Sequence, residues 1–182
     1  DSLLDGAEVL SYGFSKGFPE TLHVLNAPVD SDFKQRILGS ARYCLEHIFC
    51  APVLGLAGWR SWPAPGGVCS AMGLDLATDI YFYSQTISNV PRKDVSSNLG
   101  VPNPDVLTFL TLTGFGWAEV SVNGAPFRPM DMSAGEATLS DLALEAGGNH
   151  VLIHWIPLSE QATLRLQWHN IAKLPETQIW FE

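Results

Sequence analysis

Between residues 106 and 168, apolar side chains recur at every second position in VLTFLTLTG, AEVSVNG, HVLIHW and ATLRLQW. Successive strand side chains point to opposite sides, so a period of two puts one face of each segment in a core and the other in water. The pattern predicts strands at about 106–113, 117–123, 136–144, 149–156 and 162–169, hence a mostly β protein, an antiparallel β-sandwich or jelly roll. Val122-Asn123-Gly124 ends one strand in a turn, because Asn and Gly tolerate positive φ. Glu145-Ala146-Gly147-Gly148-Asn149 makes a second tight connection. Trp155 and Trp168 fall in phase with the core positions and are expected inside.

One stretch keeps another period. Phe33, Ile37, Leu38, Ala41, Leu45 and Ile48 recur at helical spacing behind Ser31 and Asp32, two residues suited to an N-cap. A single helix over 31–49 is predicted, weakened by about 1 kcal/mol at Gly39, with its apolar stripe against the sandwich or over an open end. Ahead of it, EVLSYGF and ETLHVLNAPV read as two short strands. Behind it, APVLGLAGWRSWPAPGG reads as a long loop with a short buried strand at Val53–Leu56. SAMGLDLATDIYFYSQTI reads as one or two strands, and residues 88–105 as a polar loop. The expected organisation is one domain over 1–182. Residues 1–75 form an N-terminal region of strands, helix and Trp/Pro/Gly-rich loop, and 76–182 the core sandwich.

Composition narrows the partners. The chain is 46% hydrophobic with a net charge of −9, and its largest basic cluster is Arg92-Lys93. Nucleic acid and anionic membrane surfaces need a concentrated positive field, so both are excluded as expected partners. No apolar run approaches the ~18 residues of a membrane helix, so no membrane insertion is expected. The chain begins at Asp1 with no signal-like segment, which reads as a processed product or an excerpt. Cys44, Cys50 and Cys69 cannot all pair internally. They suit small buried hydrophobes, or one disulfide from Cys69 to Cys44 or Cys50 in an oxidising compartment. No Asn-x-Ser/Thr sequon occurs.

The runs PDVLTFLTLTGFGWAEVSVNGAPF and LALEAGGNHVLIHWIPLSEQATLRLQW resemble the β-sandwich module named after anthrax protective antigen. Thr108–Thr113, Glu119–Gly124, Leu144–Gly147, Val151–Trp155 and Leu164–Trp168 carry the resemblance, which is confined to the C-terminal part. It implies a jelly-roll scaffold of the kind attached to carbohydrate-active and adhesive proteins. In its sugar-binding members two adjacent aspartates before the "VNG" strand help hold a calcium ion. Here Gly114-Phe115-Gly116-Trp117 occupies that position. A calcium ion needs six to eight oxygen ligands, so Asp75, Asp79, Asp105 or Asp131 would have to supply carboxylates from elsewhere. No cofactor is expected.

Candidate catalytic sets are thin. His150 and His154 have HxxxH spacing, but along a strand their Cα atoms would stand about 13 Å apart, too far for one zinc. They are expected as ordinary histidines on the face opposite Val151, Ile153 and Trp155. Gly67-Val68-Cys69-Ser70-Ala71 lacks the second glycine of a nucleophile elbow, and nothing in the sequence brings His23 or His47 beside it. Phosphate-cradling glycine motifs are absent.

Aromatic residues remain. Trp59 and Trp62 lie in the Pro/Gly-rich loop, and Phe115 and Trp117 at the sandwich rim. Exposed indoles stack on sugar faces or anchor protein interfaces, whereas buried ones plug the ends of a core. With Asn103, Asp105 and Asn123 they form the expected binding edge. The sequence thus leaves two readings. One is a non-catalytic recognition module, carbohydrate-binding or adhesive. The other is a virion, tail or surface-assembly subunit contacting other protein subunits in an oligomer or larger assembly. An extracellular, cell-surface or virion setting suits either, and an enzyme has the least residue-level support.

Overall fold

Alternation becomes pairing in the computed structural model, which describes residues 16–17, 19–46, 54, 56, 58–88, 106–140, 142, 144 and 147–172. The strands among them are β1 (Lys16–Gly17), β2 (Thr21–Ala27), β3 (Arg60–Pro63), β4 (Val68–Ser70), β5 (Asp79–Ser88), β6 (Val106–Thr113), β7 (Trp117–Val122), β8 (Arg128–Met130), β9 (Glu136–Leu139), β10 (Gly147–Ile156) and β11 (Thr163–Ala172). One helix, α1, spans Phe33–Glu46. Six strands form one antiparallel sheet in the order β3-β2-β5-β10-β7-β8. The other sheet runs β1-β11-β6-β9, and β4 shares the β1 edge of β11. Among the described residues the architecture is a mostly β sandwich with one α-helix.

The space between the sheets is filled from both sides. Leu22, Val24, Phe82, Val120, Ile153 and Trp155 come from the six-stranded sheet, and Leu110, Leu112, Leu166 and Trp168 from the other. Each such side chain taken fully out of water stabilises the fold by about 1.5–3 kcal/mol. On the five-stranded sheet the alternation has its expected consequence, with Thr113, Arg165 and Gln167 facing away from this core.

The six-stranded sheet departs from that rule. Its far face is covered by α1, whose Phe33, Ile37, Leu38 and Ala41 pack on Leu25, Tyr81, Tyr83 and Leu152. Both faces of β5 are therefore dry, which is why Ile80-Tyr81-Phe82-Tyr83 is apolar or aromatic without alternation. Helix entry is organised by Asp30. Its Oδ1 accepts the backbone N–H of Asp32 at 3.1 Å and the Arg36 guanidinium at 2.9 Å. The first helical bond runs from the Arg36 N–H to the Asp32 carbonyl, which places Asp32 at the N-cap.

Several expectations need correction. Leu54 and Leu56 are not in a strand: Leu54 has 3-10 helical geometry and Leu56 sits in a bend, and both pack against the helix-side cluster. The strand of that region is β3, where Trp62 lies opposite Leu22 of β2. Prolines and glycines around Trp59 and Trp62 obscured it. The segment expected over 136–144 ends as a strand at Leu139, and β8 forms where no alternation announces it. Pro129 is tolerated there because β8 is an edge strand, whose outward backbone positions have no ladder bond to lose. A disulfide through Cys69 is also ruled out. Cys69 is a free thiol buried between the sheets, pushed up to about 12 by burial, whereas Cys44 is disulfide-bonded. The strand expected in EVLSYGF and most of the 88–105 loop lie outside the described residues.

Candidate functional site

At one end of the six-stranded sheet, β5 and β7 begin while β2 and β10 finish, and α1 starts above them. This places Asp79, Tyr81, Trp117, Glu119 and His154 on the helix-covered face, with Lys34 reaching down from the first turn of α1. His154 is the centre of the group. Its Nδ1 lies 3.0 Å from Oε2 of Glu119, and its Nε2 lies 3.6 Å from Oδ1 of Asp79. Tyr81 stacks on the imidazole at a centroid distance of 4.3 Å with planes 9° apart. Trp117 meets the same ring edge-on, 5.5 Å away and at 89°.

The charges are shared unequally. Lys34 forms an ion pair with the buried Glu119, and its ammonium also lies 5.5 Å from the centre of the Phe127 ring. Asp79 stays 38% exposed, and its Oδ2 accepts the backbone N–H of Val29 at 3.3 Å. Burial, then the negative charges of Asp79 and Glu119, raise the Tyr81 phenol above its ordinary value, so its hydroxyl is protonated throughout the physiological range. Both nitrogens of His154 face carboxylates. That arrangement orients the ring and offers hydrogen-bond acceptors; it does not set a base against a nucleophile.

Solvent reaches this end through apolar groups. Trp117 is 37% exposed and Phe115 57%, and Ile156, directly across the β7–β10 pair from Trp117, is exposed as well. Leu158, in the connection from β10 to β11, is 75% exposed. The rim is built by Gly114 and Gly116, with φ of +145° and +118°. A Cβ on Gly116 would stand 2.5 Å from the Ile156 carbonyl oxygen, so only glycine lets the β6–β7 turn lie against the end of β10 and push Phe115 outward.

The residues singled out by sequence are scattered by comparison. Trp59 is half-buried on the helix side, edge-on to Tyr83 at 6.3 Å, and its buried Nε1 has no hydrogen-bond partner among the described residues. Trp62 is half-buried on the opposite face, against the sandwich core, with the Arg60 guanidinium 4.7 Å from its ring centre. Asn123 has φ of +56° and both ends of its amide engaged: Nδ2 donates to Asn149 Oδ1 and Oδ1 accepts the His150 N–H, each at 2.8 Å. Its role is to hold the turn after β7 against β10. Asn103 and Asp105 lie outside the described residues. Asp75 and Asp131 cap turns, at Ala77 and Ser133 respectively. Among the described residues of the expected edge, Trp117 touches the charged end through His154, and Phe115 stands two residues before it in the β6–β7 turn. Among the described residues, no group of three or more His, Cys, Asp or Glu side chains could hold a metal ion, and no helix is long and apolar enough to cross a membrane.

His150 occupies the same face away from this end. Its Nδ1 is 2.7 Å from the Tyr83 hydroxyl, and burial holds it below the ordinary value of 6.5. The folded chain therefore carries His150 neutral where the unfolded chain begins to take up a proton. Stability from this group is complete above 6.5 and is lost as pH falls through that value toward the lower folded one. Urea unfolding at stepwise pH should show the loss, at most about 1.4 kcal/mol per pH unit from one proton. His150→Gln should remove that part of the slope; an unchanged slope would mean that His150 is not its source.

Comparison with known proteins adds little to these residues. No protein-family model matches the chain, and no curated protein sequence matches it. Among solved structures, it is similar to the β-glucosidase from Kluyveromyces marxianus in complex with glucose, at a TM-score of 0.43 and 8% identity. The match covers 86% of this chain and 16% of that one, so the chain corresponds to about a sixth of the enzyme's length. A likeness of that degree carries no argument about what this chain does.

Proposed function

We infer that the chain is a non-catalytic recognition module, and that saccharide binds at the sheet end where Trp117, His154 and Asp79 meet. The carrying observation is the half-exposed Trp117 indole set against a histidine whose two nitrogens face carboxylates. An indole offers a flat apolar surface to the C–H face of a sugar ring, while the half-exposed Asp79 carboxylate accepts hydroxyl hydrogens. The resemblance of the strand motifs to the protective-antigen module supports the same reading, as does the disulfide at Cys44, which suits an oxidising, extracellular or cell-surface setting. Glycan-array screening followed by intrinsic tryptophan fluorescence tests it. A saccharide that binds should perturb the emission, and Trp117→Ala should abolish the response while leaving thermal unfolding within about 1 kcal/mol of the parent, since the indole is partly in water. A flat response across the array removes the proposal.

One observation favours the assembly reading instead. Ile156 lies across the β7–β10 pair from Trp117, and Phe115 and Leu158, each two residues along the chain from that pair, are exposed apolar side chains as well, which suits a surface that other chains cover. In that case native mass measurement should show oligomers that Leu158→Lys dissociates; a persistent monomer would rule this reading out.

A further inference from the structure

We propose that Asn123 is a latent self-modification site: the Asn123-Gly124 pair loses ammonia and becomes an aspartyl or isoaspartyl linkage when α1 lifts off the turn after β7. Of the chain's asparagines, only Asn123 is followed by glycine. In the reaction the Gly124 nitrogen attacks Cγ of Asn123. The new N–C bond closes a five-membered succinimide, the Cγ–Nδ2 bond breaks, and Nδ2 leaves as ammonia. Water then opens the ring at either carbonyl, with no oxidant or metal taking part. Glycine favours the attack because it has no Cβ to crowd its nitrogen. The fold opposes it from two sides. On one, Nδ2 of Asn123 donates to Asn149 Oδ1 and Oδ1 accepts the His150 N–H, each at 2.8 Å, while the Asn123 N–H donates to the His150 carbonyl at 2.8 Å. Turning the side chain breaks the first two of these bonds. On the other, the Arg42 guanidinium of α1 donates to the Gly124 carbonyl oxygen. The helix backbone is so close that a Cβ on Gly124 would stand 2.8 Å from the Leu38 carbonyl oxygen and 2.9 Å from the Arg42 nitrogen. The reactive pair is thus clamped between β10 and α1. Once the clamp has opened and the pair has reacted, it closes less well. An aspartyl side chain has no donor for Asn149 Oδ1, and an isoaspartyl linkage adds a methylene to a backbone already against the helix.

Peptide mapping of the intact chain, incubated in mildly alkaline buffer with and without denaturing urea, reads aspartyl and isoaspartyl formation at each asparagine. In urea Asn123 should react faster than any other asparagine. In the folded chain it should react at least about tenfold more slowly, because the reaction then waits on the open population. Arg42→Met keeps the aliphatic stem and removes the donor to Gly124. It should speed the folded-state reaction about fivefold or more, as expected from the loss of one hydrogen bond, and leave the rate in urea unchanged. The parent chain supplies a measurement that needs no variant. As urea is raised below the unfolding transition, the Asn123 rate should rise with hydrogen exchange of the α1 amides and ahead of exchange in β6 and β11. Equal rates with and without urea, or no reaction at Asn123 in urea, would overturn the proposal. So would a rate that tracks only the exchange of β6 and β11, or a folded Arg42→Met chain that reacts at the parent rate.

Discussion

Replacing Trp155 by alanine should cost about 3–5 kcal/mol of folding stability, the largest loss expected from a single truncation in this chain. Trp155 is 1% exposed and lies between the sheets, its ring 5.9 Å from that of Phe82. Its cross-strand partner on β7 is Ala118, a residue too small to fill the space the indole would leave. A domain of this length is stable by only ~5–15 kcal/mol, so the variant would sit near the edge of folding. With a urea dependence of about 2 kcal/mol per molar, the unfolding midpoint should fall by about 2 M. Trp155→Phe separates packing from polarity. It keeps an aromatic ring in the core and removes an indole N–H that has no hydrogen-bond partner among the described residues, so a loss of about 1 kcal/mol is expected. An alanine variant as stable as the phenylalanine one would mean that the core is not closed around this residue.

That core was the legible part of the chain, for a physical reason. A strand that is dry on one face and wet on the other must alternate, and β6 and β11 do so. Leu110, Leu112, Leu164, Leu166 and Trp168 point inward and Thr113, Arg165 and Gln167 outward. The same rule failed on the six-stranded sheet because its second face is covered by α1. There Glu119, His150 and His154 look like solvent-facing residues in sequence, yet a helix more than 70 residues away in the chain roofs them over. Nothing local to β7 or β10 tells a wet polar position from a roofed one. The signal that existed was in β5, where Tyr81 and Tyr83 alternate with Ile80 and Phe82 and leave no polar face at all. A strand dry on both sides requires a cover, and the amphipathic segment 31–49 was the available one. The charged end is harder still to foresee. Asp79, Glu119, His154 and Lys34 come from four elements, and only the register of β5, β10 and β7 brings them together.

The second large effect should come from Gly114, where the resemblance to calcium-dependent sugar-binding modules leads one to expect an acidic pair. Gly114 has φ of +145°, a region that residues with a Cβ rarely adopt, and a Cβ there would stand 2.4 Å from the carbonyl oxygen of Thr163. The obstacle is backbone at the start of β11, so it cannot turn aside as a side chain would. The Gly114 N–H meanwhile donates to the Gly135 carbonyl at 2.7 Å, which ties the turn to the β8–β9 connection. Gly114→Ala must therefore part the β6–β7 turn from β11 or accept a strained backbone, at a cost of about 2–4 kcal/mol. The loss should appear in urea unfolding and as a shift in the emission of the neighbouring Trp117. Gly114→Asp should lose at least as much and should gain no stability from added calcium, because an isolated carboxylate on a displaced turn falls far short of six oxygen ligands. Calcium-dependent recovery of the aspartate variant would show that the turn can carry the acidic site after all. Its absence, together with the loss in the alanine variant, would mean that Gly-Phe-Gly-Trp in this chain is a solution to chain packing, and that any ligand must be met by the side chains it displays.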